Sequence, residues 1–288
     1  MSNTGAGAFG AARGNRRWPA VAAFLLMAGA PLRAQDPASA ALPDLSGLSP
    51  AQQGLTIFRE KDRRESGYGD LQVDVTMVLR DQQGSQSRRE LSMSQLEMED
   101  EGDRLLVVFE TPKPIRGTAL LSYSHVTEPD EQWLYLPAMR RVKRIASRDK
   151  SGPFLSSEFA YEDLALEEVE KYDYEMLGRE SCGERTCLRV ERIPRDEYSG
   201  YSRQEVLLDE RTLRVERIEY FDRHERPLKV LEHEDYELYQ EQYWKPGRMK
   251  MENLQTGKST VLRWEAYRFD TGLLPDRDFS TNSLERAR

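Results

Sequence analysis

The chain has 288 residues, of which 32% are charged and 38% are hydrophobic, and its formal net charge at pH 7 is -8. A charged fraction this high argues against a bundle of transmembrane helices, and the 4 Trp, 13 Tyr and 9 Phe residues argue against a disordered chain. An acidic chain also binds nucleic acid poorly without specific contacts, because phosphate binding needs an excess of Lys and Arg.

Residues 1–34 have the pattern of a secretory signal peptide. Arg13, Arg16 and Arg17 precede an uncharged stretch, residues 19–30, that is too short for the ~20 residues of a membrane span. A buried N-terminal helix is the alternative. We predict cleavage near Ala34 and release into the periplasm as a soluble protein without a lipid anchor. Residues 35–288 then carry 38 basic and 50 acidic residues, a net charge of -12.

The remaining chain predicts one helix followed by a long antiparallel meander. Residues 35–48 are rich in Ala, Pro and Ser, which is typical of a flexible leader. Ser49 as N-cap and Pro50 at the first helical position predict a helix. From Leu71 onward the apolar residues recur with a period of two, and turn residues follow every ten to fifteen residues or so. This spacing predicts about eleven strands, a helical turn near residues 157–164 and a helix near the C-terminus.

We therefore predict a mainly β (α+β) fold with residues 49–288 in a single domain. A single antiparallel sheet with so many strands curls. One of its faces carries many charged residues and should be wet, so the other should be apolar and covered. Helices, or a carried molecule, could cover the apolar face.

The only two cysteines, Cys182 and Cys187, flank a plausible tight turn between two strands. In an oxidising compartment this pair should form a disulfide across the hairpin. A redox-active pair is the weaker alternative, because the spacing is not C-x-x-C.

No catalytic signature is found in the sequence. The three histidines, His125, His224 and His233, have no metal-binding spacing, and the S-x-x-K match at Ser147–Lys150 lacks its companion motifs. We therefore expect neither an enzyme nor a bound metal or cofactor.

Two segments carry a family resemblance. The first reads F-x-x-P-x-x-x-R-G-T-A-L-L over residues 109–121. The second reads W-L-Y-L-P-A-x-R-R-V-K-R-I over residues 133–145 and continues as S-G-x-F and S-E-F-x-Y-E-D-L up to residue 164. These segments resemble the outer membrane lipoprotein-sorting protein family, which is related to the periplasmic carriers LolA and LolB. The resemblance implies an open half-barrel, with helices lidding an apolar cavity, and a partner among transporters of the resistance-nodulation-division type.

A carrier needs an apolar inner wall rather than catalytic residues. Strand alternation predicts the lipid-binding wall, for which ordinary core packing is the alternative: Leu71, Val73, Val75, Met77, Leu91, Met93, Val107, Phe109, Trp133 and Tyr135.

A basic run contrasts with the acidic chain, with six basic residues within eleven positions: Arg140, Arg141, Lys143, Arg144, Arg148 and Lys150. We expect an exposed patch for an acidic partner or anionic head groups, and pairing with the protein's own carboxylates is the alternative.

These observations favour a monomeric periplasmic carrier of lipid or lipoprotein acyl chains that moves them toward the outer membrane. The competing hypothesis is an accessory module that carries nothing and docks on an envelope transporter.

Overall fold

A computed structural model describes residues 41–99 and 102–286. The predicted signal peptide, its cleavage site near Ala34 and residues 35–40 of the predicted leader lie outside the described residues. Among the described residues, no helix combines the length and the apolar character needed to cross a bilayer.

Helix α1 spans Pro50–Glu65 and begins where the sequence predicts. The Ser49 hydroxyl accepts a hydrogen bond from the Gln52 backbone N–H, and the Gln52 side chain accepts one from the Ser49 backbone N–H. This reciprocal capping satisfies N–H groups that the first turn of a helix leaves without partners.

The described strands form one antiparallel sheet of thirteen, rather than about eleven, because several short runs pair separately. The strands are β1 (Asp70–Arg80), β2 (Gln86–Leu96), β3 (Arg104–Thr111), β4 (Ala119–Tyr123), β5 (Glu131–Leu136), β6 (Arg141–Arg144), β7 (Tyr172–Cys182), β8 (Arg185–Pro194), β9 (Tyr201–Asp209), β10 (Val215–Asp222), β11 (Pro227–Tyr239), β12 (Tyr243–Asn253) and β13 (Ser259–Phe269).

The strand order places β6 and β7 at opposite ends of the sheet. The order runs from β6 back to β1, then from β13 back to β7, and β1 pairs with β13 in the middle. Residues 145–171 connect β6 to β7, so this segment must travel from one edge of the sheet to the other. We call residues 145–171 the strap. It contains four short 3-10 turns and no strand.

The strap and α1 cover the inner face of the sheet, where the main core lies. Phe154, Phe159 and Leu164 of the strap and Ile57 and Phe58 of α1 belong to this core. Helix α1 lies directly on β7: a Cβ at Gly54 would be 3.0 Å from the Cβ of Tyr174. The sheet is open and few helices accompany it, so the predicted mainly β half-barrel is confirmed.

The outer face carries a second, smaller core at one end of the sheet. Two short helices, α2 (Pro275–Asp278) and α3 (Thr281–Leu284), follow β13, and Phe279 and Leu284 pack there against strands β2 to β4. Of the described helices, α1 therefore lies on the inner face, and α2 and α3 lie on the outer face.

The outer face of β7 to β10 carries ion pairs that join different strands. Arg189 lies within 3.4 Å of carboxylates of Glu180, Glu205 and Glu219. This arrangement agrees with the predicted wet, charged face.

Cys182 and Cys187 form the predicted disulfide, with their Cα atoms 5.9 Å apart. Cys182 pairs with Arg185 across the hairpin, so only residues 183 and 184 form the turn. The turn is therefore shorter than the four residues between the two cysteines. Gly183 has φ +64°, a left-handed conformation that glycine adopts readily.

The described part of the leader, residues 41–48, is held against α1. Leu42 and Leu45 pack on the core, and Gln53 Nε2 donates to the backbone oxygens of Leu45 and Leu48. This end of the predicted leader therefore packs on the core, and the flexibility of the leader stays a prediction.

Candidate ligand cavity

A cavity of about 600 Å³ lies between the strap and the inner face of strands β8 to β12. Cavities of ~300–1,000 Å³ are typical of small-molecule sites. Phe159, Ala165 and Leu166 of the strap line one side, and the loops at residues 127–130 and 194–199 line the rim.

Strand register arranges the floor of the cavity in two adjacent rows. One row is polar and crosses four strands, because Arg192 pairs with Gln204, Gln204 with Tyr220, and Tyr220 with Lys229. The neighbouring row is apolar, and its Ile218 and Leu231 line the cavity. The floor can therefore contact an apolar chain and a polar group side by side.

An ion cluster with two buried cations, Arg192 and Lys61, lies at one end of the polar row. Glu167 of the strap accepts hydrogen bonds from Arg192 and from Lys61 of α1, and Arg192 Nε also donates to Gln204 Oε1 at 2.7 Å. Burial alone would raise the pKa of Glu167, but the positive charges of Arg192 and Lys61 outweigh it and lower that pKa to about 2. Glu167 therefore stays ionised and joins the strap, the helix and the sheet.

A second buried ion pair lies at the other end of the row. Lys229 Nζ donates to Asp163 Oδ2 at 2.6 Å, and the Tyr201 hydroxyl donates to Asp163 Oδ1 at 2.8 Å. The Lys229 ammonium also lies 4.9 Å and 5.0 Å from the ring centres of Tyr201 and Tyr220. These contacts fix the middle of the strap over β11.

Two carboxyl groups of the cavity wall resist ionisation. Burial, followed by the negative charge of Asp163, raises the pKa of Glu162 to about 7, although its carboxylate accepts hydrogen bonds from Ser199 and Gly200. Burial and the neighbouring Asp103 likewise raise the pKa of Glu168 to about 7. The wall is therefore an unfavourable place for additional negative charge.

His233 lines the cavity beside Leu231 and Met249. Its Nδ1 is shielded from water and has no hydrogen-bond partner among the described residues. Burial lowers the pKa of His233 to about 3, so the imidazole is neutral at physiological pH. The sequence analysis found only that His233 lacks a metal-binding spacing.

The residues predicted as the lipid-binding wall do not line this cavity. Eight of them are in the main core and at most 3% exposed: Leu71, Val73, Val75, Met77, Leu91, Met93, Val107 and Phe109. Trp133 and Tyr135 contradict the prediction more directly, since both pack in the outer-face core. Leu134 takes the inward position on β5, where it pairs with Leu120.

The sequence analysis did not include the cavity residues of β9 to β12 in the lipid-binding wall, although it predicted strands in this part of the chain. Ile218 and Leu231 show the same period-two alternation as the proposed wall. Only the path of the strap, which a sequence pattern does not show, separates them from the packed half of the sheet.

Five of the six predicted patch residues are exposed: Arg140, Arg141, Lys143, Arg144 and Arg148. The predicted exposure is wrong for Lys150. This residue is buried, and its Nζ donates to the backbone oxygen of Asp130 at 2.5 Å. Arg144 pairs with Glu131. Ser147, next to Arg148, lines the cavity, so the patch adjoins its rim.

No group of three or more His, Cys, Asp or Glu side chains among the described residues is arranged to hold a metal ion.

Comparison with known proteins places the fold in a family. The chain shares 44% identity with an outer membrane lipoprotein-sorting protein domain from Vibrio parahaemolyticus, over 82% of this chain and 100% of that one, with a TM-score of 0.80. The chain belongs to the outer membrane lipoprotein-sorting protein family. A profile of a family described as uncharacterized protein matches residues 101–286.

Two further solved structures are similar. A DUF1329 family protein from Desulfovibrio piger is 28% identical over 82% of this chain and 99% of that one, with a TM-score of 0.77. A LolA superfamily protein from Nitrosomonas europaea is 20% identical over 80% of this chain and 98% of that one, with a TM-score of 0.65, which shows a shared fold. No curated protein matches the chain. Family membership and the LolA-like fold together support a carrier-type role.

Proposed function

We propose that this protein is a periplasmic carrier that binds the acyl chains of a lipid or lipoprotein under the strap and moves them toward the outer membrane. The observation that carries the proposal is the cavity of about 600 Å³ between the strap and the sheet. The name of the 44% identical relative, a lipoprotein-sorting protein domain, supports it.

The physics of transport explains why such a cavity is useful. Moving an acyl chain from a membrane into water costs about 0.8 kcal/mol for each methylene group. A cavity lined by Ile218, Leu231, Met249 and Phe159 removes much of this cost while the carrier crosses the aqueous space. The strap covers the bound chain, and neither step requires a catalytic group.

The exposed patch at Arg140, Arg141, Lys143 and Arg148 is proposed as the contact to anionic head groups or an acidic partner. Its place beside Ser147 at the cavity rim supports this role, because a docked membrane would then lie close to the opening. Positive residues near an anionic surface contribute roughly 1 kcal/mol each.

The close packing of the predicted wall favours a second candidate, an accessory module that docks on a transporter of the resistance-nodulation-division type. Val73, Met77, Val107 and Phe109 are fully buried by their own neighbours and leave no room for a ligand in that half of the sheet. In this case the cavity under the strap would hold only water.

Native mass spectrometry of protein purified from the periplasm separates the two candidates. A carrier should retain an acyl species that Ala165→Trp removes, because the larger side chain fills the cavity from the strap. Wild-type protein that carries no lipid and co-purifies with an inner-membrane transporter would support the docking module instead.

A further inference from the structure

We propose that Tyr172, Gln204 and Tyr220 form a subsite that binds the carbonyl group of an acyl ester or acyl amide. The inference rests on the proposed carrier function and names the part of the ligand that the cavity recognises. A carrier with such a subsite holds an acyl chain by its carbonyl end as well as by its methylene groups.

Three polar atoms of the cavity lining are available to a ligand. Tyr172 Oη, Gln204 Nε2 and Tyr220 Oη belong to lining residues, and none of them has a hydrogen-bond partner within the described residues. They are not among the unpartnered side-chain atoms that the protein shields from water. Gln204 and Tyr220 are only 3% and 4% exposed, so the little surface that they keep faces the cavity. Polar groups buried to this extent are ordinarily hydrogen-bonded, which indicates a place for a polar ligand group.

Arg192 fixes the orientation of the Gln204 amide. Arg192 Nε, which can only donate, lies 2.7 Å from Gln204 Oε1. The amide oxygen therefore faces Arg192, and the amide nitrogen is the end without a partner. Glu167 accepts a hydrogen bond from Arg192 and so holds the guanidinium in place. The floor thus presents an N–H donor, which an acceptor on the ligand can satisfy.

The two tyrosines come from strands on opposite sides of β9, which carries Gln204. Tyr220 pairs with Gln204 in the strand register, which places their Cβ atoms about 5 Å apart on the inner face. The guanidinium carbon of Arg192 lies 4.7 Å from the ring centre of Tyr172, so Arg192 connects Tyr172 to the amide. A carbonyl oxygen accepts two hydrogen bonds, and the amide N–H with one hydroxyl can supply both.

The apolar row beside these groups receives the chain. Ile218 is two residues from Tyr220 on β10, so their side chains lie on the same face about 7 Å apart. Leu231 pairs with Ile218, and both line the cavity. An acyl chain whose carbonyl lies at Gln204 therefore places its first methylene groups on the apolar row. A chain without a carbonyl covers the same row but leaves the donors unpaired, which weakens its binding.

The test compares two ligands that differ in a single carbonyl group. Displacement of the fluorophore N-phenyl-1-naphthylamine from the mature protein is measured with monolauroylglycerol and with its ether analogue dodecylglycerol, each below its micellar concentration. We expect the ester to bind about 10-fold tighter, because the ether has no carbonyl oxygen. Equal affinities would overturn the inference and leave carriage intact. Failure of both ligands and of the fluorophore to bind would overturn carriage as well.

N-lauroylethanolamine extends the comparison to an acyl amide. We expect it to bind as tightly as the ester, because the carbonyl oxygen is the acceptor that the two linkages share. Binding as weak as that of the ether would exclude amide-linked chains, such as those on acylated proteins, and restrict the subsite to esters.

Tyr172→Phe combined with Tyr220→Phe tests the two hydroxyls. Neither hydroxyl has a partner within the described residues and both rings are kept, so the urea midpoint should not fall. The preference for the ester should drop from about 10-fold to ~3-fold or less. The matched control is Tyr239→Phe, whose hydroxyl donates to Glu237 outside the cavity lining and whose loss should leave the full preference.

Gln204→Glu tests the amide donor. The substitution keeps an oxygen for Arg192 Nε and replaces the N–H group by a second acceptor. The preference for the ester should disappear, because two acceptors then face each other. A full preference retained both in this variant and in the double tyrosine variant would mean that the carbonyl binds elsewhere, and would overturn the inference.

Discussion

Lys229 of β11 and Asp163 of the strap form an ion pair, 2.6 Å between Nζ and Oδ2, with side chains only 5% and 7% exposed. Lys229 also donates to the backbone oxygen of Glu158 at 3.1 Å. The Lys229 side chain thus holds the strap at two points over strand β11. Because the strap forms the cavity roof, this pair links the stability of the fold to the shape of the site.

Removing one partner of this pair should destabilise the protein strongly. Lys229→Met leaves the Asp163 carboxylate buried without its cation, and losing one member of a buried pair costs about 3 kcal/mol or more. Urea unfolding should show a lower midpoint. The matched control is Arg226→Met, since Arg226 pairs with Asp222 at 2.8 Å on the surface and should contribute less than ~1 kcal/mol. Equal losses in both variants would mean that the strap is not held by Lys229.

Tryptophan substitutions should distinguish the cavity from the packed core. Ala165→Trp projects from the strap at the cavity and should block binding of an acyl fluorophore with little loss of stability. Val73→Trp overfills a site that is 0% exposed and should cost ~1–3 kcal/mol or more. Thermal melts beside fluorophore titrations check both. If Ala165→Trp bound the fluorophore normally, the ligand would lie elsewhere.

The half-buried carboxyl of Glu168 predicts a definite pH dependence. Its pKa is raised from 4.5 to about 7 in the folded protein. It therefore contributes stability that is fully present below about pH 4.5 and is lost as the pH rises through 7. Glu168→Gln should remove this loss, so the variant gains on the order of 2 kcal/mol relative to wild type between about pH 5 and pH 8. Urea unfolding of wild type and variant at about pH 5 and about pH 8 tests the prediction. If the free energy of unfolding changed with pH equally in both proteins, the prediction would be wrong.

Loss of the disulfide should have a modest effect. The loop between Cys182 and Cys187 is short, so the chain-entropy account gives about 2 kcal/mol. The double variant Cys182→Ser with Cys187→Ala should lower the free energy of unfolding by roughly this amount and leave fluorophore binding unchanged, because the turn at residues 182–187 does not line the cavity. Wild-type protein with reducing agent is the control. A loss of binding would show that the β7–β8 hairpin shapes the site.

Charge reversal should reveal whether the exposed basic patch docks on membranes. Arg141→Glu with Lys143→Glu should reduce binding to phosphatidylglycerol vesicles at least ~10-fold at low salt, since each positive residue contributes roughly 1 kcal/mol. Co-sedimentation across salt concentrations measures the effect. The control is the double reversal of Arg179 and Arg217, which lie exposed elsewhere on the sheet. Equal loss in both variants would mean that only net charge matters.

The sequence by itself determined the class of fold and the local elements. The Ser49–Pro50 helix start, the alternation in β1 and the cysteine pair each depend on neighbouring residues, so local patterns suffice to predict them. The segments near Phe109 and Trp133 also indicated the family. What alternation could not decide is which side of β5 faces inward, because Trp133, Leu134 and Tyr135 are all apolar.

Only the tertiary structure decided the location of the cavity. Strands β6 and β7 lie at opposite edges of the sheet, so the strap must cross the inner face, and its path leaves space over β8 to β12 but packs closely over β1 to β3. Lys150 is buried for a similar reason, because the loop at Asp130 lies against the strap. These contacts join residues far apart in the chain, and their geometry depends on the pairing of all thirteen strands. A pattern within any one strand does not contain that information.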